Sequence, residues 1–385
     1  MKLRLVLFIV LVFIIGSINY NTVYADEGML TDAVENTINI LDTSSLDSFL
    51  DDITSKYSMS NIDFKKELFN LLSGNTDYNI TNIFTFVFDM ITSRVSYLLP
   101  SILILFVIGV IGSLLTSISQ NNENNNIIGV IATISAILVT IVSFREILSV
   151  TYDIVTTISD FVSIIFPIML ALVVSTAGVG THMALVSITT VVSSVMHFVF
   201  QNILYPIIIF IYVITICNSI SNFIKLDKLS LFMSSVFKFA IGVTFTIFFG
   251  YLGLQSLTIL RFDTISIKAT KFAISSYVPL IGSFLSQGFD YVMMGSVLIK
   301  NGIGVIGIIF IVVLVFIQVI NIYLLKLGYG FVAGVLEVVG DSAVSKYLDQ
   351  YSKLILLPIV LILAVSFFYI ILLVVFVSTA NIGVV

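Results

Sequence analysis

The feature that most constrains this chain is a series of unbroken apolar segments, each about 20 residues long, which is the length a helix needs to cross about 30 Å of hydrocarbon. A backbone placed in lipid must satisfy its own hydrogen bonds, and a helix does so within each segment. A β-barrel would instead need short stretches of alternating polarity, and these runs are continuous. The composition agrees: 58% of the 385 residues are hydrophobic and 10% are charged, against about 25% charged residues in ordinary soluble domains. The chain reads as an all-α, polytopic helical membrane protein.

Eight spans are expected, at 98–119, 127–144, 162–177, 182–200, 203–220, 234–256, 302–324 and 354–378. The Asn-rich run 120–126 reads as a tight polar loop, 145–161 as a polar amphipathic connection, and Gln201-Asn202 as a hairpin tip with Pro206 opening the next helix. Residues 257–301 mix Arg261, Asp263, Lys268, Lys271 and Asp290 with a short apolar run, so their path is left open. Lys300-Asn301 flanks a span, where a lysine can snorkel to the interface. Phe166-Pro167-Ile168-Met169 resembles Val278-Pro279-Leu280-Ile281, a weak sign that 161–256 and 273–378 are repeats.

The N-terminus supplies orientation. Lys2 and Arg4 precede an apolar core from Leu5 to Ile15, and Val23-Tyr24-Ala25 has the form of a cleavage site, so 1–25 reads as a signal peptide or an uncleaved signal anchor. Either outcome leaves Asp26 onward on the non-cytoplasmic side. Alternation then puts Lys225, Lys228 and Lys238 inside, and Lys326, Lys346 and Lys353 with them provided 257–301 makes no net crossing; these six lysines follow the positive-inside rule, whereas the basic 257–271 segment does not. Between Asp26 and Met90 stand twelve acidic residues against three lysines, so 26–97 reads as an acidic extracytoplasmic segment ahead of the membrane domain 98–385. Leu46, Phe49, Leu50 and Ile53 recur at helical spacing behind Ser44-Ser45-Leu46-Asp47, as do Phe64, Leu68, Leu71 and Leu72. These short amphipathic helices form either a solvated stub on the membrane or a partner-binding module. Asn79 to Tyr97 suits an interfacial helix leading into the first span.

No catalytic constellation emerges. His182 and His197 lie at no ligand spacing, and Cys217 is the only cysteine, read as a packing residue. No zincin, nucleophile-elbow or phosphate-loop motif occurs, so no metal or cofactor is expected and an enzyme is disfavoured. Nothing is basic enough for nucleic acid. Asp160, Asp290 and Glu337, the carboxylates nearest apolar stretches, read as solvated boundary groups, although an ion-coupled permease would use such residues near the midplane. The candidate functional or partner surface comprises Arg261, Asp263, Lys268, Lys271, Asp290, Lys300, Asn301, Gln201 and Asn202.

Ala269-Thr270-Lys271-Phe272, Tyr277-Val278-Pro279-Leu280-Ile281-Gly282, Val297-Leu298-Ile299-Lys300-Asn301 and Gly304-Val305-Ile306-Gly307, with Gln201-Asn202-Ile203 and Pro206, give the chain a specific resemblance. Together with the order signal peptide, acidic segment, polytopic body, they resemble the stage III sporulation protein AE family of endospore-forming bacteria. The resemblance implies a mother-cell protein in the membrane around the engulfed forespore. It implies sibling partners that include ring-forming components and a secretion-type ATPase, with the lipid bilayer around it and a homo-oligomer allowed. It also implies a secretion or feeding channel that supports late forespore gene expression, with no catalytic residues.

Overall fold

The computed structural model describes residues 41–56, 63–72, 80–118, 122–177, 185–220, 226–259, 282–340 and 343–379, with Ile38 and Met183. The described residues are helical throughout, as the apolar runs require. The elements are α1 (Ser44–Lys56), α2 (Phe64–Leu72), α3 (Ile80–Ile118), α4 (Asn122–Ala177), α5 (Leu185–Ile220), α6 (Asp227–Ile259), α7 (Gly282–Val339), α8 (Ala343–Leu354) and α9 (Leu356–Thr379). Six helical stretches are long and apolar enough to cross a membrane, with α8 and α9 forming one of them.

The eight expected spans are thus carried on six stretches. No break separates 127–144 from 162–177, because α4 runs straight through the polar residues between them. Those residues need no loop. Thr151 and Thr156 bond carbonyls of their own helix, Ile147 O at 2.6 Å and Tyr152 O at 3.1 Å. Glu146 and Asp153 instead meet cations from other helices, Arg94 and Lys56. Likewise 182–200 and 203–220 merge in α5, and the expected hairpin tip at Gln201-Asn202 lies inside a π-helical turn, Val199–Leu204. Pro206 has no N–H for the carbonyl four residues back, and the wider turn beside it re-registers the chain without a reversal. The expected interfacial helix before the first span is likewise continuous with that span in α3, across Pro100.

The contacts fix how the helices run. Arg94 meets Glu146 and Gly112 faces Ala132, so α3 and α4 are antiparallel. Tyr329 meets Ser143 and Phe310 meets Phe161, so α4 and α7 are antiparallel. Ser345 bonds Ala333 O, and Gly307 packs on Leu373, so α8 and α9 fold back along α7. Asn218 closes the α5–α6 hairpin by accepting from Leu226 N at 2.7 Å and donating to Asp227 at 2.8 Å. α4 and α7 form the central pair, and one hydrophobic core runs through all these elements.

The amphipathic helices α1 and α2 are packed on that core rather than standing free as a solvated stub. Leu46, Leu50, Ile53, Phe64 and Leu68 are buried, and Phe49 sits 5.8 Å from Phe161 and 6.4 Å from Phe310. Phe49 therefore lies over the α4–α7 pair, and Lys56 pairs with Asp153 of α4 at 3.4 Å. At the start of α1, Asp42 accepts from Ser44 N at 3.1 Å and Ser44 Oγ at 2.6 Å, which holds its carboxyl below the ordinary range. Thr43 Oγ1 donates to Asp47 Oδ2 at 2.8 Å. The capping oxygen therefore comes from Asp42, just ahead of the Ser44 that the sequence suggests, while the Thr43 hydroxyl is tied to Asp47.

Candidate functional site: a polar waist in an apolar bundle

Polar side chains buried among apolar helices must be bonded or they oppose folding. In this protein they gather around the middle of α4. Arg94 of α3 donates from Nη2 to Glu146 Oε1 at 2.8 Å, and its guanidinium lies 5.0 Å from the ring centre of Tyr97. The side chains keep 19% and 36% exposure, so the pair stands at the edge of the core rather than within it. Beside it a cavity of about 50 Å³ is lined by Arg94, Glu146, Gln318 and Asn321, with Ile147 and Leu325 among its apolar walls. Gln318 is buried. Arg94 Nε has no protein acceptor. A cavity of this size and polarity is large enough for water, which needs about 10–15 Å³ measured this way and several polar partners.

Next to the cavity, toward the α7–α8 turn, lies a cluster of buried tyrosines. Tyr329 of α7 donates to Ser143 Oγ at 2.6 Å, and Tyr351 of α8 donates to Thr140 O at 3.2 Å. Tyr347 of α8 shares a short hydrogen bond with Thr140 Oγ1. Tyr212 of α5 stacks on Phe144 at 3.6 Å and lies 5.9 Å from the Tyr351 ring. Further along, Tyr369 of α9 donates to Ser159 Oγ at 3.0 Å. One helix, α4, therefore presents acceptors at Thr140, Ser143 and Ser159, and three others reach it with phenols. Tyrosine in a membrane chain is commonly an interface anchor. Tyr329, Tyr347, Tyr351 and Tyr369 are instead among the largest fully buried side chains. The i, i+4 spacing of Tyr347 and Tyr351 opposite a Thr/Ser-bearing helix was the signal available.

Tyr329→Phe isolates one of these bonds. It removes a hydroxyl and leaves Ser143 without that donor, so unfolding in detergent should become easier by about 1 kcal/mol. Equilibrium denaturation of the purified protein measures this, and an unchanged midpoint would separate the bond from the stability of the bundle.

The residues singled out from sequence scatter. Arg261, Asp263, Lys268 and Lys271 lie outside the described residues, as does His182. Asp290 is in α7, and its side chain lies outside what is described. Gln201 and Asn202 face different surroundings: Asn202 is exposed, while Gln201 Nε2 is buried without an acceptor. Lys300 does not snorkel. It is fully buried, and its Nζ donates to Val377 O at 3.0 Å in the last turn of α9. There the carbonyls left unpaired at a helix end, and the negative pole of its dipole, receive the ammonium group. Asn301, beside it, is half-buried. Asp160 and Glu337 are exposed, and His197 is half-buried. Cys217 is exposed rather than packed, so it turns outward from α5. Among the described residues no three His, Cys, Asp or Glu side chains converge as a metal site would require.

Chemically the waist holds one ion pair, two buried or half-buried amides and a set of phenols tied to hydroxyls. That inventory can orient helices and hold water, and it contains no nucleophile–base pair. Comparison with known proteins gives a consistent result. The family described as stage III sporulation protein AE matches residues 62–380. A curated relative, "Stage III sporulation protein AE" of Bacillus subtilis (strain 168), is 23% identical over 239 residues, which is 62% of this chain and 60% of the relative. The matched part thus spans less than two thirds of that relative's length. No solved structure matches.

Proposed function

The chain belongs to the stage III sporulation protein AE family, and on that premise we propose that it is a non-enzymatic, multi-pass membrane component of the complex that joins mother cell and forespore. The observation that carries this reading is the family match, which covers every long apolar helix. The protein sits in the mother-cell membrane around the forespore, with residues 26–90 on the non-cytoplasmic side. Its partners are the ring-forming siblings and the secretion-type ATPase, and its role supports forespore development and late forespore gene expression. The site chemistry favours the same view, because the buried polar groups are used in tying helices together. A bundle braced in this way suits a rigid part of a larger assembly.

Two measurements on sporulating cells test the proposal. Cross-linking followed by purification of a tagged chain should recover the ring components and the ATPase. A clean deletion should arrest late forespore gene expression. Normal spores from the deletion strain would overturn it. The water-sized cavity beside Arg94 and Glu146 favours a second reading, a stand-alone permease for a small solute. Reconstituted protein that moves a solute without any sibling protein would establish that alternative.

A further inference from the structure

We propose that the part of α3 ahead of Pro100 is a hinged lid, latched by Arg94 to Glu146, whose release opens the polar cavity on α4 and α7. The first observation is a change in packing across the proline. Beyond Pro100, α3 is clamped at close glycine contacts. A Cβ placed on Gly328 of α7 would stand 2.5 Å from Ile102 Cδ1, and one on Gly109 would stand 2.2 Å from Leu336 Cδ1. A Cβ on Gly112 would come within 2.9 Å of Ala132 of α4. Ahead of Pro100 the packing is sparse. Of the nine residues described between Phe88 and Tyr97, seven are exposed and none is buried. Ile91, Arg94 and Leu98, at helical spacing, form the face turned to the bundle. Of these three, Leu98, next to the proline, is buried, and the other two are half-buried. A segment with so few buried contacts opens at lower cost than the packed helix that follows it.

The second observation is the proline itself. Pro100 has no N–H for the carbonyl of Ser96, and its ring crowds that carbonyl. The hydrogen-bond ladder of α3 is therefore interrupted at the same place where its packing changes. Sharp helix kinks concentrate at such positions.

The third observation is the latch and what it covers. Arg94 Nη2 and Glu146 Oε1, 2.8 Å apart, are the one ion pair described between this segment and the bundle. Both side chains are partly exposed, and ion pairs in such settings add little stability. The closed position also leaves Arg94 Nε buried without a protein acceptor. Among the described lining of the cavity, α3 contributes Arg94, whereas α4 contributes three residues and α7 four. Tyr97, whose ring centre is 5.0 Å from the guanidinium, belongs to the same segment and moves with it. Swinging the segment away removes one wall and uncovers Glu146, Gln318 and Asn321 together. A carboxylate and two amides among aliphatic side chains then face outward, a set that receives a cationic group.

Distance measurements on the full-length protein in lipid nanodiscs test this. In a Cys217→Ser background, one nitroxide pair is placed at Phe88 and Leu138, across the hinge, and another at Leu103 and Ile247, beyond it. All four positions are exposed. Phe88 lies 12 residues from Pro100, about 18 Å, so a swing of about 30° moves its label by about 9 Å. Glu146→Gln and Arg94→Gln should each add a second Phe88–Leu138 distance, about 5–10 Å longer than the parent's. The Leu103–Ile247 distance should not change. Pro100→Ala, combined with Glu146→Gln, should remove the longer distance, because it restores the ladder. A cysteine at Asn321 should react several-fold faster once Arg94→Gln releases the latch, and faster with a cationic than with an anionic methanethiosulfonate. The proposal fails if both latch variants keep the parent's Phe88–Leu138 distance, or if the Asn321 cysteine reacts at the parent's rate. It fails equally if the Leu103–Ile247 distance changes too, since the whole bundle would then have loosened.

Discussion

Lys300→Glu should abolish the folded bundle. Lys300 is fully buried, and its single described partner is a carbonyl at the C-terminal end of α9. A carboxylate there would face the negative pole of the helix with no donor, in a site that excludes water. Uncompensated buried charge costs about 3–5 kcal/mol, which is comparable to the whole stability of many domains. The variant should be lost from membranes, or recovered only as an aggregate on gel filtration in detergent. Lys300→Met is the control. It keeps the stem that packs against the core, removes the buried charge and forgoes one hydrogen bond, so its stability should stay within about 1.5 kcal/mol of the parent. A Lys300→Glu protein that elutes and melts like the parent would show that the ammonium group is solvated after all.

Gly304→Val should come next in severity, for a steric rather than an electrostatic reason. A Cβ at Gly304 would stand 2.2 Å from Val377 Cγ2 and 3.4 Å from Met169 Cε. Met169 can rearrange, but Val377 is β-branched and stiff about its first torsion. α7 and α9 must therefore separate, and overpacking of this kind costs about 1–3 kcal/mol or more. Because Val377 also accepts the Lys300 bond, the damage should not add simply to that of a Lys300 variant. Gly242 and Gly250 of α6 provide the contrast, since a Cβ at either meets nothing within 4 Å. Alanine at those two positions should raise stability by about 0.5–1 kcal/mol each through helix propensity. Thermal unfolding in one detergent compares all of these variants directly.

The fold class was legible in the sequence because hydrocarbon leaves a chain few options. The places of Leu46, Leu50, Ile53, Phe64 and Leu68 followed from spacing alone. What spacing could not show was where the amphipathic faces would dock. A buried stripe on α1 has the same pattern whether it meets its own subdomain or a distant pair of helices. The breaks between spans were misread for a related reason. Gln201-Asn202 and the residues around Arg145 are polar, and polarity in an apolar chain suggests a turn. Whether it makes one depends on partners such as Arg94 and Lys56, which lie far away in sequence. Lys300 illustrates the same point: beside a span a lysine ordinarily reaches water, and only the end of α9 gives it a reason not to. The waist escaped notice because none of its members is unusual alone. Arg94, Glu146, Gln318 and Asn321 become a site only when α3, α4 and α7 meet.

The docking of α1 against Phe161 and Phe310 also bears on how the chain is made. Phe49 is among the early residues to leave the ribosome, whereas Phe310 lies within the last quarter of the chain to be synthesised. Throughout the intervening synthesis α1 and α2 have only part of their eventual binding surface. Contacts between such remote parts of a sequence form late, so the apolar stripe of α1 stays uncovered while the membrane helices are inserted. A chain halted before α7 would present that stripe permanently, as an adhesive surface. Arrival of α7 is therefore the event that closes the N-terminal end.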